Sequence, residues 1–168
     1  MSITIRQETP DDIEQINDIT ESAFLKAAHA SHTEQLIVKA LRNADALTLS
    51  LVADDAGQVV GHVAVSEVTI SGAALGWYGL GPISVDPKVQ GKGIGAQLMH
   101  AALSGLKDLG AKGCVLLGDP NYYIRFGFKP IDGLVYPEAP SEYFQAISFD
   151  GEFAQGEVAY HEAFSVTA

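Results

Sequence analysis

The chain has 168 residues, 47% of them hydrophobic and 18% charged, with a formal net charge of −11. This length and balance fit one domain over residues 1–168 and exclude a disordered chain or two ordinary domains. The first residues have the pattern of a strand rather than a signal peptide, and no apolar run approaches the ~20 residues that span a bilayer.

The first forty residues predict a strand and two helices. The strand covers 2–6. Thr9 can cap the first helix, Pro10 suits its first position, and an apolar stripe at helical spacing follows: Ile13, Ile16, Ile19 and Phe24. Ser31 and Glu34 have the spacing of a capping box, which predicts a second helix to about residue 41.

The middle of the chain predicts three consecutive strands, at 47–53, 58–70 and 77–85, with turns at 54–57 and 71–72. A helix is predicted from Gly93 to Gly110, followed by an apolar strand at 113–117 that buries the lone Cys114. A single cysteine forms no internal disulfide or zinc cluster, which fits a reducing cytoplasm. A short helix at 121–126 and further strand ending at 158–166 complete a mixed α/β sheet.

The C-terminal segment is strongly acidic. No Lys or Arg follows Lys129, whereas seven acids do: Asp132, Glu138, Glu142, Asp150, Glu152, Glu157 and Glu162. Such a surface repels nucleic acid and membranes and attracts cations, or it serves only solubility. We therefore expect neither nucleic acid nor membrane as a partner; a homodimer stays open.

The most informative stretch is the glycine-rich turn at 90–96, where Gly91, Gly93 and Gly95 come between a strand and a helix. Backbone N–H groups that converge at a helix N-terminus bind phosphate, because both the unpaired amides and the helix dipole favour an anion. Lys88 and Lys92 add positive charge beside it.

Two common phosphate-binding loops do not fit this turn. A Walker A loop would need Gly in place of Asp86 and Ser or Thr in place of Gly93. The dinucleotide fingerprint fits Gly91, Gly93 and Ala96 formally, but residues 86–90 separate it from its strand. It should also open a series of βαβ units, whereas this turn follows a meander.

Three motifs of the chain are informative together: Gln90-x-x-Gly93-x-Gly95, residues 83–87 before it, and Tyr123-x-x-x-Gly127-Phe128. They resemble, in this order, the pyrophosphate signature, the preceding strand and the C-terminal motif of the GNAT superfamily of acetyl-CoA-dependent N-acetyltransferases. Residues 117–120 and 157–164 further resemble the bacterial YhbS-like subgroup.

The resemblance implies a mostly antiparallel sheet flanked by helices, with a central strand pair that splays apart. Acetyl-CoA would be the cosubstrate, with no metal, and the strand at 83–85 would pair with the pantetheine arm while 114–118 diverges. A backbone N–H near Ser84 or Val85 would stabilise the oxyanion. The implied cofactor-binding residues are Ile83, Ser84, Val85, Gln90, Gly91, Lys92, Gly93, Ile94, Gly95, Ala96 and Asn121.

Tyr123 is the implied general acid. A phenol of pKa about 10 can protonate a thiolate of pKa about 8.5 while staying neutral itself at pH 7. Tyr122, Phe126 and Phe128 are expected in the core. Asn121 lies only two residues before Tyr123, closer than the Asn of the family pattern, which puts its contact with pantetheine in question.

Glu67 is the predicted base for the acceptor, a small-molecule or lysine-type amine, although a solvent-facing strand acid explains it equally well. His62, His161 and Glu162 are alternatives, and His29 and His32 lie in a loop that would cover the acceptor. No pair of residues has metal-ligand spacing. A non-catalytic module that senses acyl-CoA would use the same glycine-rich turn.

Overall fold

The computed structural model describes residues 1–27 and 30–167. The strands are β1 (Ile3–Gln7), β2 (Leu49–Asp55), β3 (Gln58–Glu67), β4 (Thr69–Ile70), β5 (Trp77–Val85), β6 (Gly113–Leu117), β7 (Leu134–Val135), β8 (Phe144–Ser148) and β9 (Gly156–Ala159). The α-helices are α1 (Ile13–Phe24), α2 (Glu34–Asn43), α3 (Ile94–Asp108) and α4 (Pro120–Tyr123). Among the described residues, no helix is both long and apolar enough to cross a membrane.

Six strands form the main sheet, in the order β1-β2-β3-β5-β6-β8. Every neighbouring pair is antiparallel except β5 and β6, which are parallel because α3 connects them. The second sheet is small and has the order β4-β9-β7. The predicted fold class, a mixed and mostly antiparallel sheet flanked by helices, is confirmed.

The helices cover opposite faces of the main sheet, as two adjacent residues of β2 illustrate. Val52 packs with Ile16 and Val38 of α1 and α2, whereas Ala53 packs with the residues of α3. Successive side chains of a strand point to opposite faces, so the sheet is buried on both sides.

The central pair β5 and β6 splays apart. Only Trp77–Gly79 of β5 pair with Gly113–Val115 of β6, whereas the pairing of β5 with β3 continues as far as Val85. The sheet edge at residues 80–85 of β5 therefore faces a gap instead of a neighbouring strand. The expected divergence of the two strands is confirmed.

Several element boundaries differ from the sequence prediction. The helix α2 begins at Glu34, whose carboxylate accepts hydrogen bonds from the N–H (2.9 Å) and hydroxyl (3.0 Å) of Ser31, but Thr33 is its N-cap. The strand predicted at 58–70 divides at Val68 into β3 and β4. The segment predicted as strand to Val166 leaves the sheet after Ala159 and forms a 3₁₀ turn at Glu162–Ser165.

Candidate active site

A cleft of 480 Å³ lies where β5 and β6 diverge. It extends from the N-terminus of α3 to the aromatic side chains of α4 and contacts the end of α1. Its lining residues are Ala23, Phe24, Ile83, Ser84, Val85, Gln90, Gly91, Gly93, Ile94, Gly95, Ala96, Tyr122, Tyr123 and Arg125. The fold thus brings the glycine-rich turn and the candidate acid Tyr123 to one cavity.

The N-terminus of α3 faces this cleft. Gly91 (φ 78°) and Gly93 (φ 81°) are left-handed, a conformation that glycine adopts without the steric penalty of a side chain. The first helical hydrogen bond runs from the Gln97 N–H to the Gly93 carbonyl at 3.1 Å. The N–H groups that precede Gln97 in the first turn therefore have no partner within the helix and can bind an anion.

Two of the predicted cofactor residues lie outside the cleft, and the others line it. Lys92 and Asn121 are exposed and do not line the cleft. Gln90 does line it, and its Nε2 donates to the Val85 carbonyl at 3.1 Å. Gln90 therefore connects the turn to the end of β5.

A side-chain hydrogen bond connects the splayed part of β5 to α1, on the sheet face opposite α3. The hydroxyls of Thr20 and Ser84 lie 3.2 Å apart, and both side chains are buried. This contact holds the strand by a side chain on the face away from α3, leaving the backbone edge of 80–85 open to the cleft.

Tyr123 is half-buried in an aromatic cluster at the end of the cleft. Its ring packs edge-on to Tyr122, with centroids 4.9 Å apart, and contacts Phe126 and Phe128 at 6.3 and 6.4 Å. Burial raises the pKa of Tyr123, and the nearby Tyr122 and Asp119 raise it further. The phenol is therefore a proton donor, not an anion, at neutral pH.

The aromatic neighbours of Tyr123 were only partly assigned from sequence. Phe126 and Phe128 lie in the core as expected. Tyr122 was also expected there, but it lines the cleft, with the Arg125 guanidinium 4.4 Å from its ring centroid. Arg125 also lines the cleft and adds a positive charge that the sequence analysis did not predict. Its position between Tyr123 and Phe128, inside the motif, could have indicated it.

Glu67 lies in a second cleft, of 400 Å³, and not in the cleft that holds Tyr123. Its side chain is exposed, and in the sheet Glu67 pairs with Tyr78. Tyr78 is one position before Gly79, the last residue of β5 that pairs with β6. His161 lines the same second cleft, and its Nδ1 accepts the Ala163 N–H at 3.0 Å. Glu67 as the base stays a prediction.

Tyr160 lines this second cleft and contacts β5 at Gly79, where the strands begin to diverge. A Cβ on Gly79 would come within 2.6 Å of the Tyr160 ring, so this ring lies against the backbone of β5. Burial raises the pKa of Tyr160 well above its usual range. The second cleft therefore lies next to the start of the splay.

His62 belongs to a buried network that lies outside both clefts. Arg42 donates to both Glu8 oxygens (2.8 and 2.9 Å), Ser50 donates to Glu8, and the Ser50 hydroxyl lies 2.8 Å from His62 Nε2. Burial lowers the pKa of His62 to about 4. Since Ser50 gives its proton to Glu8, the neutral His62 donates from Nε2 to Ser50.

Two further candidates, Glu162 and His32, line neither cleft. Glu162 and His32 are exposed, and His29 lies outside the described residues. Within residues 1–27 and 30–167, no group of three or more His, Cys, Asp or Glu side chains is placed to hold a metal ion.

Comparison with known proteins identifies the family. The model of the "Acetyltransferase (GNAT) domain" matches residues 4–131. The Escherichia coli (strain K12) protein described as "Uncharacterized N-acetyltransferase YhbS" is 43% identical over 126 residues, which are 74% of this chain and 72% of that protein. The resemblance to GNAT enzymes and to the YhbS-like subgroup is therefore confirmed.

Two solved structures share the fold along nearly the whole chain. A GNAT family acetyltransferase from Brucella melitensis, in complex with acetyl-CoA, is 52% identical with a TM-score of 0.87, covering 97% of this chain and 98% of that one. Escherichia coli YhbS, in complex with CoA, is 36% identical with a TM-score of 0.85, covering 99% and 93%. The chain belongs to the GNAT family of acetyltransferases.

Proposed function

We propose that this protein transfers the acetyl group of acetyl-CoA to a primary amine, with Tyr123 as general acid. The observation that carries the proposal is a single cleft that joins the N-terminus of α3 to Tyr123 along the open edge of β5. The complexes of two similar proteins with acetyl-CoA and with CoA support the choice of donor.

The donor binds along the length of the cleft. Its pyrophosphate lies against the backbone N–H groups at Gly91–Ala96, where the left-handed glycines allow close approach and Arg125 adds positive charge. Its pantetheine arm pairs with the backbone of Ile83–Val85, as an added strand would. The thioester then reaches the start of the splay.

The reaction is direct attack by the amine. The nitrogen adds to the thioester carbonyl, and a backbone N–H of Ser84 or Val85 donates to the resulting oxyanion. The tetrahedral intermediate then loses the remaining extra proton of its nitrogen to water and collapses. The carbon–sulfur bond breaks, and the phenolic proton of Tyr123 passes to the departing thiolate. Solvent reprotonates Tyr123 after the products leave.

The acceptor approaches from the second cleft, which borders the start of the splay. Asp45 and Glu67 line this cleft, and no Lys or Arg among the described residues does, so a protonated amine is attracted there. Before attack, the amine loses a proton to Glu67, directly or through a water molecule. The acceptor class is therefore a cationic primary amine, such as a polyamine, an amino sugar or a lysine side chain.

The test is an assay of CoA thiol release from acetyl-CoA with a panel of such amines. We expect Tyr123→Phe to lower kcat by about 10²–10⁴-fold, the usual contribution of general acid catalysis, with little change in CoA binding. Tyr136→Phe is the matched control, because Tyr136 is also half-buried among aromatic rings but lies outside the cleft. CoA binding without transfer to any amine would indicate an acyl-CoA sensor instead.

A further inference from the structure

A buried glutamine outside the cleft is connected to Tyr123 through one glycine. Gln145 is the second residue of β8 and is 0% exposed. Its Nε2 donates to the Gly118 carbonyl at 2.9 Å, whereas its Oε1 is buried without a hydrogen-bond partner among the described residues. A buried amide with only one of its polar atoms satisfied is uncommon and calls for an explanation.

Gly118 is held on both sides. It follows β6 directly and precedes α4, the helix that carries Tyr123. Its N–H donates to the Tyr143 carbonyl at 3.0 Å, while its own carbonyl accepts from Gln145. The backbone at this point is therefore fixed to β8 and to the turn before it.

The ring of Tyr123 rests on this fixed backbone. A Cβ on Gly118 would lie 2.3 Å from Cε2 and 2.8 Å from Cδ2 of Tyr123, which is closer than non-bonded atoms approach. Tyr122 packs edge-on against the same ring. Any movement of the Gly118 backbone toward the ring would thus displace the phenol.

We infer that Gln145 is a positioning residue for Tyr123: it fixes the Gly118 carbonyl and so sets where the phenol meets the cleft. The inference rests on the proposed role of Tyr123 as general acid. Misplacement of a reacting group by about 1 Å can cost 10²-fold in rate, so a fixed support for this ring has a direct catalytic use.

Stability alone does not account for Gln145. The bond to Gly118 is stabilising, but the unpartnered Oε1 incurs a desolvation penalty of comparable size. Replacement by methionine removes the bond and the unpartnered Oε1 and keeps the length of the side chain. The Gly118 carbonyl loses its partner, but Gly118 is only half-buried, so water can bind there instead. We therefore expect Gln145→Met to change the melting temperature by no more than about 2–4 °C, the shift that one small interaction gives in a chain of this size.

The decisive experiment is a double-mutant cycle on the full chain, with acetyl-CoA and the best amine of the panel. We expect Gln145→Met to lower kcat about 10-fold in the wild-type background and less than about twofold when combined with Tyr123→Phe, because coupled residues are not additive. The affinity for CoA should not change. Equal loss in both backgrounds would show a general structural effect and overturn the inference.

The pH profile of kcat gives a second readout that a structural role would not move. Burial raises the pKa of Tyr123, and a displaced ring would lose part of that burial. In Gln145→Met, kcat should therefore begin to fall at a lower alkaline pH, closer to the ordinary tyrosine pKa of about 10. An unshifted profile with unchanged kcat would also overturn the inference. Gln155→Met is the matched control, since Gln155 is exposed and its Nε2 also donates to a backbone carbonyl, that of Asp132 at 3.3 Å.

Gly118→Ala provides an independent variant, because the new Cβ forces the Tyr123 ring to move while Gln145 is intact. We expect it to lower kcat at least 10-fold, again only when the tyrosine hydroxyl is present. Unchanged turnover in Gly118→Ala would show that the ring position does not matter. If Tyr123→Phe itself had no effect, the proposed mechanism would fail first, and the cycle would separate the two failures.

Discussion

The size of residue 95 should control CoA binding. A Cβ added at Gly95 would lie 3.7 Å from the Tyr122 hydroxyl and 3.8 Å from Val85, which are ordinary contact distances. All three residues line the cleft between β5 and β6. Alanine therefore fits beside both neighbours. Leucine adds three further carbons to the space between Tyr122 and Val85, where the cosubstrate is expected to lie.

The magnitude follows from mass action. A ligand present at 100 times its Kd stabilises the folded state by about 2.7 kcal/mol. In a chain of this size, about 1 kcal/mol corresponds to about 2–4 °C, so wild type should gain about 5–11 °C with CoA. If leucine raises the Kd about 100-fold, the same CoA concentration stabilises by only about 0.4 kcal/mol, or about 1 °C.

The assay is thermal unfolding with and without CoA for wild type, Gly95→Ala and Gly95→Leu. Gln97→Leu is the matched control, because it introduces the same side chain at an exposed position of the same helix that does not line the cleft. Without CoA, Gly95→Ala should melt up to about 2–4 °C above wild type, because glycine is the poorer helix former by about 1 kcal/mol, so each variant is compared with its own ligand-free form. A full CoA shift in Gly95→Leu, or the same loss in Gln97→Leu, would refute the reasoning.

Three further predictions concern pH and salt. Asp12 has its pKa lowered to about 2 by hydrogen bonds from Arg6, so Asp12→Asn should reduce the free energy of unfolding at pH 7, and the deficit should vanish as the pH falls from about 4 to 2. His62 is buried with a pKa of about 4, so stability should fall as the pH drops from about 6.5 to 4; denaturant titrations should show a smaller pH slope in His62→Asn. The apparent affinity for a cationic amine should weaken between 0.1 and 1 M salt at saturating acetyl-CoA, because the Debye length falls from about 10 to 3 Å. A flat response would show that Asp45 and Glu67 do not attract the amine; none of the seven acids after Lys129 lines that cleft.

Local patterns were sufficient to predict much of the fold and the donor side of the site. The glycine-rich turn can be recognised from a few neighbouring residues, because left-handed glycines and a helix N-terminus are properties of the local backbone. The motif that contains Tyr123 is equally local, and the fold places it beside the turn. These two segments could therefore be recognised before their distance in space was known.

The acceptor side depends on contacts between distant parts of the chain, which no local pattern encodes. Glu67 and His161 share a cleft only because the chain after β9 returns to the end of β3. Gln145 offers no motif, since its role depends on the Gly118 carbonyl 27 residues away in sequence. Ala23 and Phe24 belong to the amphipathic helix α1, whose pattern shows that one face is buried but not what its end faces.

Three side-chain hydrogen bonds hold the strands on either side of the splay. Residues 80–85 of β5 have a neighbouring strand on one side only, so the backbone ladder holds them less firmly than a central strand. Ser84 is held by Thr20 of α1, and the Val85 carbonyl accepts from Gln90. On the opposite side of the gap, β6 is bonded to β8, and Gln145 fixes the residue that follows it. The two walls of the cleft are thus bonded to separate parts of the molecule, so the gap between them is already formed before the cosubstrate binds. Less of the protein then has to become ordered on binding, which lowers the free-energy cost of binding.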